Sequence, residues 1–251
     1  MVSSCSKNGD AVQPSLPESM YFPSNSSSTW ETKSLSSLGW NQAAVQPLKD
    51  FLIQKHTKSF IILVNGRIVM EEYFNGQTAT GTWEWNSAGK TLVASITGIA
   101  QQEGLLNISS KVSDYLGTEW TSMPLSKENL ITVRHLLTMT SGNDDTKQYV
   151  VKQNLTYVAD AGTRWAYSNI FQKLTNVVAN ASNKSFETYF NEKIKNRIGM
   201  DGFWNFGTIF TIYHSTATSM ARFGLLALNN GKWGNEQIIN ESYFKESIAP
   251  S

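Results

Sequence analysis

The stretch that decides the fold is Trp85–Gly98, WNSAGKTLVASITG. Its apolar residues recur at helical spacing, which predicts a helix from about 88 to 103. Ser87 and Lys90 stand three residues apart at the start of this helix, so both side chains can point into one cleft. A serine in a first helical turn also has free backbone N–H groups beside it, which can stabilise an oxyanion. The stretch therefore predicts a rigid helix that carries a nucleophile and its base.

The Ser-x-x-Lys pattern alone is weak, because the chain contains it at Ser4, Ser87 and Ser242. Only Ser87 opens a strongly apolar helix directly after a hairpin pattern. Ser4 lies in a polar tail, and Ser242 lies on an amphipathic surface helix. The alternative for Ser87 is a role as a helix N-cap only. Sequence patterns elsewhere in the chain are needed to distinguish these two interpretations.

Patterns on both sides of this helix predict an α+β fold. Two β-rich runs flank Asn65-Gly66 within residues 59–76, which predicts a tight hairpin. Helical spacing of apolar residues recurs at 41–54 and 215–230. The segments between 105 and 200 are short and mostly helical. No pattern for the closing strands of a sheet follows them.

The same patterns divide the chain into four predicted segments. The first is rich in Ser, Asn and Pro, which is typical of a tether or loosely docked arm. The segments are a flexible polar N-terminal arm (1–37), an α/β lobe with the hairpin and the nucleophile helix (38–104), a helical lobe (105–200) and an incomplete return to the α/β lobe (201–251).

A second chemical element is the stretch 161–169, AGTRWAYSN. Tyr-x-Asn also occurs at Tyr73 and Tyr189, where hairpin and helix positions favour packing. Tyr167 instead lies in a loop that starts at a glycine, from which a phenol can enter a cleft. A tyrosine hydrogen-bonded to a lysine can relay a proton, and the Asn169 amide can hold a substrate carbonyl or orient the lysine. The alternative is that Tyr167 is a core residue.

Taken together, these motifs resemble the serine β-lactamase-related superfamily. That group includes class C β-lactamases, D-alanyl-D-alanine carboxypeptidases, family VIII carboxylesterases and 6-aminohexanoate-oligomer hydrolases. The segments that carry the resemblance are SAGK (87–90), YSN (167–169), VNGRIVMEEYFNG (64–76), EGLLNISSKVSDYL (103–116), ITVRHLLTMTSGN (131–143) and STATSMARFGLLALNNGKW (215–233). Met139 replaces the histidine that is usual in the "LLTHTSG" segment. The residues around YSN and MARFGLL are most similar to those of the esterase and amide-hydrolase branches.

The resemblance implies a β-lactamase/transpeptidase-like antiparallel sheet flanked by helices, with a mostly helical second lobe. It also implies a serine hydrolase that cleaves an ester or amide through an acyl-enzyme on Ser87. Lys90 and Tyr167 would be the proton-transfer partners, and the Ser87 N–H would be half of the oxyanion hole. The substrate is expected to be a small-molecule ester, amide or peptide, and no cofactor is expected.

Four residues are predicted to bind the substrate because they belong to the motif segments or flank them. The aromatic ones can line an apolar acyl pocket, and packing around that pocket is the alternative. The four are Asn169, Trp85, Trp165 and Tyr213.

The family's third motif, Lys-Thr-Gly, His-x-Gly or a relative, has no clear counterpart. The chain contains Lys7-Asn-Gly9 in the tail and Lys232-Trp-Gly234 after the late helix. We therefore expect a truncated chain that lacks its closing C-terminal strands. Loss of one oxyanion donor costs a factor of about 10²–10³ in rate, so this form is expected to be impaired. The alternative is a catalytically incomplete, penicillin-binding-like protein that binds a ligand without turnover.

Composition argues against several other functions. Lys and Arg total 21 against 20 Asp and Glu, and without a long basic run nucleic acid is not an expected partner. No His, Asp or Glu cluster has metal-ligand spacing, so no metal is expected. A Gly-x-Ser-x-Gly elbow, which a Ser-His-Asp hydrolase would usually show, is absent.

The single cysteine, Cys5, indicates where the protein acts. Val2-Ser-Ser-Cys5 resembles the end of a bacterial lipoprotein signal, in which the cysteine becomes lipidated. This resemblance predicts an exported, periplasmic or outer-membrane lipoprotein with a membrane tether through Cys5. The alternative is a terminal cysteine without a role. The oligomeric state does not follow from the sequence.

Overall fold

The chain folds into mostly short helices around small antiparallel sheets. The computed structural model describes residues 18–27, 29–207 and 209–249. Its helices are α1 Val45–Gln54, α2 Gly89–Gln102, α3 Ser113–Leu116, α4 Leu125–Glu128, α5 Val133–Leu137, α6 Lys173–Ser182, α7 Phe186–Phe190, α8 Asn196–Ile198, α9 Ala217–Leu228 and α10 Glu241–Ile248. Its strands are β1 Ser59–Val64, β2 Arg67–Tyr73, β3 Trp83–Glu84, β4 Phe203–Phe206, β5 Thr211–Ser215, β6 Lys232–Trp233 and β7 Glu236–Gln237. The predicted α+β class is confirmed.

The strands form three separate antiparallel sheets, with orders β1-β2, β3-β5-β4 and β6-β7. The predicted hairpin at Asn65-Gly66 is confirmed, and both residues have a positive φ, of 48° and 80°. Two consecutive positive φ values are what a two-residue hairpin turn requires. At Gly66 a Cβ atom would stand 1.8 Å from the Tyr21 carbonyl oxygen, so the turn also needs glycine for space.

Helix α2 is the centre of the core. Leu92, Ile96 and Ala100 on this helix have no exposed surface, and the helix packs against α6. Burying a leucine or isoleucine side chain contributes about 1.5–3 kcal/mol, so the apolar positions predicted from helical spacing fix this helix firmly. A 3-10 turn, Asn86–Ala88, leads directly into it. Ser87 and Lys90 are therefore attached to the exposed start of a helix whose remaining turns are largely buried.

The described part of the predicted N-terminal arm is docked on the folded lobe. Tyr21 N–H donates to the Asn65 carbonyl at 2.9 Å. The buried Arg222 guanidinium donates to the carbonyls of Ser24 and Ser27 at 3.0 and 3.1 Å and lies over the Trp30 ring. Residues 18–27 and 29–37 are thus held in place, whereas Cys5 lies outside the described residues. The four-segment division itself stays a prediction.

After α9, the described residues contain the short β6-β7 pair and α10. Helix α10 packs against α2, and the Tyr243 hydroxyl donates to the Ala94 carbonyl at 2.8 Å. Across the three described ranges, no helix combines the length and apolarity needed to cross a membrane.

The packing of α10 on α2 depends on Gly98. A Cβ atom there would come within 2.1 Å of the Tyr243 ring, and this ring is buried. We expect Gly98→Ala to lower the free energy of unfolding by about 1–3 kcal/mol, the usual cost of overpacking. Denaturant unfolding of the purified variant measures this change.

Gly224 in α9 provides the matched control, because a Cβ there meets no atom within 4 Å. Gly224→Ala should raise the free energy of unfolding by up to about 1 kcal/mol through helix propensity alone. Equal stability of the two alanine variants would contradict the packing described here.

Candidate active site

The turn that carries Ser87 is anchored to strand β5. Trp85 N–H donates to the Tyr213 carbonyl at 2.8 Å, and Ala88 N–H donates to the Trp85 carbonyl at 2.9 Å. Between them Asn86 adopts a left-handed backbone with φ 46°, which asparagine tolerates better than most residues. The turn leaves the Ser87 side chain exposed at the start of α2.

Lys90 lies against Ser87, as the three-residue spacing predicts. Lys90 Nζ donates to Ser87 Oγ at 3.3 Å and stands 4.8 Å from the centre of the Tyr167 ring. The three predicted catalytic side chains therefore meet at one point. Within the described residues, the Ser87 N–H donates to no acceptor, so it can face a developing oxyanion.

The loop that brings Tyr167 to this point is tied to the end of α5. Met139 has a left-handed backbone, with φ 57°, and its carbonyl accepts from Ala166 N–H at 3.0 Å. Gly162 N–H donates to the neighbouring Thr140 carbonyl at 2.7 Å. Met139, which stands where the family usually has histidine, thus supports the tyrosine loop through its backbone.

A buried polar network fixes the residue after Tyr167. Ser141 Oγ donates to Asn143 Oδ1 at 2.6 Å, and Asn143 Nδ2 donates to Ser168 Oγ at 3.0 Å. All three side chains are buried, where an unpaired polar group would be costly. The network therefore holds the loop in one position.

The phenol of Tyr167 is electrostatically perturbed by its neighbours. Partial burial raises its pKa, but hydrogen bonds with the Lys90 and Ser87 side chains and the charge of Lys90 outweigh burial, so the pKa lies below its ordinary value. The net lowering means that the Lys90 cation favours the phenolate. A phenolate beside a serine hydroxyl is able to accept its proton.

Ser87 opens onto a cleft of about 180 Å³. Its polar side is formed by Asn86, Ser87, Lys90, Gln172, Thr175 and Thr211, and its apolar side by Val93, Phe171, Phe210 and Ile212. The cleft is therefore bounded by the nucleophile helix, the segment after Tyr167 and strand β5. It has the mixed lining expected of a small-molecule site.

Two predicted substrate-binding residues belong to the core instead. Trp85 is buried and donates from Nε1 to Ser215 Oγ at 2.7 Å. Tyr213 is fully buried, and its hydroxyl donates to the Asp201 carbonyl at 2.6 Å. Burial also raises the pKa of the Tyr213 phenol. Both rings pack among other core aromatics, Trp85 against Phe223 and Tyr213 against Phe190, and neither lines the Ser87 cleft. Their predicted contact with substrate stays a prediction.

The other two predicted substrate-binding residues lie near the cluster without lining the Ser87 cleft. Asn169 donates from Nδ2 to the Gln148 carbonyl at 3.1 Å, so its amide holds a loop. Trp165 is 64% exposed and lines a different cavity of about 510 Å³, together with Met139 and Tyr243. Among the described residues, no hydrogen bond joins Asn169 or Trp165 to Lys90, whose amine donates to Ser87.

Sequence reasoning missed Gln172 and Phe210, which line the cleft, and the buried Asn143. Asn143 ends the segment 131–143 that carries the family resemblance, but its role did not follow from it, whereas Gln172 and Phe210 belong to no motif and Gln172 lies inside an ordinary amphipathic run. Their roles depend on contacts between segments that are distant in sequence, which spacing alone does not reveal.

His135 has a structural role at the start of α5. It forms a capping box with Thr132, whose N–H donates to His135 Nδ1 at 3.1 Å. Burial lowers the pKa of His135, and this outweighs the opposing effect of a backbone hydrogen bond. The part of the chain that the structure describes also contains no group of three or more His, Cys, Asp or Glu side chains suited to a metal ion.

Comparison with known proteins places this geometry in a family. Three solved structures have a similar fold: a provisionally named β-lactamase from Bacteroides dorei (TM-score 0.68, 19% identity), a provisionally named 6-aminohexanoate-dimer hydrolase from Bacillus anthracis (0.71, 21%) and the octameric penicillin-binding protein homologue from Pyrococcus abyssi (0.64, 17%). The alignments cover 82%, 87% and 80% of this chain, and 68%, 67% and 59% of those chains.

No curated protein gives a significant sequence match. The family model for Beta-lactamase matches residues 52–247, which is most of the chain and includes Ser87, Lys90 and Tyr167. The chain belongs to the Beta-lactamase family.

Proposed function

We propose that this protein is a serine hydrolase that cleaves an ester or amide through an acyl-enzyme on Ser87. The observation that carries the proposal is the convergence of Ser87, Lys90 and Tyr167, with Lys90 Nζ 3.3 Å from Ser87 Oγ and 4.8 Å from the Tyr167 ring centre. A nucleophile within reach of a base that a third group orients is the arrangement that covalent catalysis requires.

In the proposed first step, Ser87 Oγ attacks the substrate carbonyl carbon and its proton moves to the phenolate of Tyr167. The Lys90 cation supports this step because it lowers the pKa of Tyr167. As the carbon–leaving-group bond breaks, the proton passes on to the departing alkoxide or amine. Water then attacks the acyl-enzyme by the reverse route, which releases the acid and restores the Ser87 hydroxyl.

The Ser87 N–H is the proposed first donor of the oxyanion hole. A second donor is not identified among the described residues. Lys232-Trp-Gly234, one of the two Lys-x-Gly matches, lies in the β6-β7 hairpin, where Trp233 is buried and donates to Asn25 Oδ1 at 3.0 Å. The other match, Lys7-Asn-Gly9, lies outside the described residues. One missing donor would slow acylation and deacylation by a factor of about 10²–10³.

This observation also favours a second candidate function, which is ligand binding without turnover. In that case Ser87 would be acylated by a reactive ligand and deacylation would not follow. Both candidate functions depend on Ser87 and Lys90, so acylation and turnover have to be measured separately.

The substrate class stays open among lactams, peptides, esters and amides, since related scaffolds serve all of them. A panel of p-nitrophenyl esters, nitrocefin, D-Ala-D-Ala peptides and aminohexanoate dimer would separate these branches. The exported, lipid-tethered location is likewise proposed from the sequence around Cys5 alone.

The proposed nucleophile is tested by covalent labelling. A fluorophosphonate or penicillin probe should add one adduct at Ser87, detected by mass spectrometry of peptides, and Ser87→Ala should abolish it. Ser242 is the matched control, because it starts a second Ser-x-x-Lys copy on α10. Labelling that survives Ser87→Ala but not Ser242→Ala would overturn the assignment.

The electrostatic link between Lys90 and Tyr167 has a readout that does not need activity. Lys90→Met removes the cation and its hydrogen bond with the Tyr167 phenol, whereas the partial burial that raises the pKa of this phenol remains. The pKa of the Tyr167 phenol should rise above its value in the unchanged protein. Carbon NMR of labelled tyrosine against pH measures it, with Tyr167→Phe to assign the signal and the distant, exposed Lys184→Met as control. An unchanged titration in Lys90→Met would refute the link.

Burst kinetics distinguish the two candidate functions. Release of p-nitrophenol from a short ester should show a burst of about one equivalent followed by turnover if the protein is a hydrolase. A burst without turnover would support the ligand-binding alternative. The absence of any burst, together with unlabelled Ser87, would exclude both.

A further inference from the structure

Gln172 joins the segment after Tyr167 to the tip of the β4-β5 hairpin. Its Nε2 donates to the Ile209 carbonyl at 2.7 Å, and its Oε1 accepts from Thr211 N–H at 2.6 Å. The amide therefore bonds to the backbone on both sides of Phe210, as a neighbouring strand would. Gln172 is also the last residue of the 3-10 turn Asn169–Gln172 that follows Tyr167.

These two bonds fix the part of the hairpin that faces the nucleophile. Phe210 lines the cleft together with Ser87 and is 45% exposed, so core packing holds only part of its side chain. Its carbonyl accepts from Gly207 N–H at 2.9 Å, which closes the hairpin. The position of Phe210 over the cleft thus depends largely on backbone bonds, of which Gln172 makes two.

The cleft that Phe210 bounds is small and carries no carboxylate in its lining. A cavity of about 150 Å³ is large enough to bind benzene, which has six non-hydrogen atoms, so a cleft of about 180 Å³ accommodates a group of roughly that size. Val93 and Phe171 form a buried apolar floor. A positively charged group there would lose its hydration without a carboxylate to pair with, so the lining favours a compact group without positive charge.

We propose that Phe210 sets the upper size of the acyl group that Ser87 accepts, and that Gln172 is the positioning residue that holds Phe210 in place. The inference rests on the proposed function, because the cleft becomes an acyl site only if Ser87 is acylated. It adds the preferred substrate class, which is esters or amides of short acyl groups without positive charge, and two residues that determine the size limit.

The experiment compares acylation rates of the full chain with p-nitrophenyl acetate, butyrate and octanoate, taken from the burst phase. A butyryl group has fewer than six non-hydrogen atoms and fits the cleft. An octanoyl group has more than six and exceeds its size. The unchanged protein should therefore acylate about tenfold or more slowly with octanoate than with butyrate. Because the burst reports acylation alone, the measurement does not depend on turnover.

Two variants and two matched controls isolate the roles. Phe210→Ala should acylate with octanoate as fast as with butyrate, which removes the octanoate penalty, defined as the ratio of the butyrate to the octanoate acylation rate. Gln172→Met keeps the length of the side chain but removes its hydrogen bonds. It should reduce the octanoate penalty roughly threefold. The change should come from a higher KM for short esters, while the limiting acylation rate changes little. Phe206→Ala, on the same hairpin and 51% exposed, and Gln237→Met, whose amide also donates to loop carbonyls, should leave the length profile unchanged.

A structural readout accompanies these rates. The Thr211 amide proton is bonded to Gln172, so its hydrogen exchange should be about tenfold faster in Gln172→Met, and unchanged in Gln237→Met. A penalty for octanoate that persists in Phe210→Ala, with Ser87 still labelled, overturns the size limit. Unchanged exchange at Thr211 overturns the role of Gln172. Failure of Ser87 to react with any probe instead overturns the proposed function itself.

Discussion

Burial of helix α2 is the constraint on which the rest of the site depends. Ser87 and Lys90 sit at the end of a helix that core residues surround on most sides, so neither can move without disturbing the core. Catalytic groups attached to such an element lose little entropy on reaching the reactive geometry. The exposed side chains of the site are thus positioned by the least exposed part of the molecule.

The other parts of the site are held in place by hydrogen bonds to backbone atoms. The Tyr213 carbonyl of strand β5 is bonded to Trp85, and the tyrosine loop is bonded to the Met139 carbonyl. The tip of the β4-β5 hairpin is bonded to the side chain of Gln172. Bonds to backbone fix a segment without consuming the chemistry of its side chains. This arrangement leaves Ser87, Lys90 and Tyr167 available for reaction while their supporting segments stay ordered.

The sequence predicts those features whose signal is local. Helix α2 and the Asn65-Gly66 hairpin follow from the apolar spacing and turn residues of a single segment, and the Ser87–Lys90 contact follows from helix geometry. Tyr167 needed the resemblance to a family as well as its own loop. Trp85 and Tyr213 were assigned to the pocket because they neighbour motifs, yet which side of a strand or turn faces the core is decided by distant partners such as Phe223. Gln172 has no local signal at all.

Arg222 connects the docked arm mechanically to the rest of the fold. One guanidinium holds the arm at Ser24 and Ser27, reaches the Ile198 carbonyl, and lies over two indole rings. Among residues 18–27 and 29–37, none lines the Ser87 cleft. A pulling force applied at the N-terminal side would first load the Tyr21–Asn65 hydrogen bond on the β1-β2 hairpin and then this anchor, through which the strain would enter α8 and α9. The reactive cleft would stay outside that line of force, so a protein fastened by its N-terminal end can be held under tension without distorting its active site.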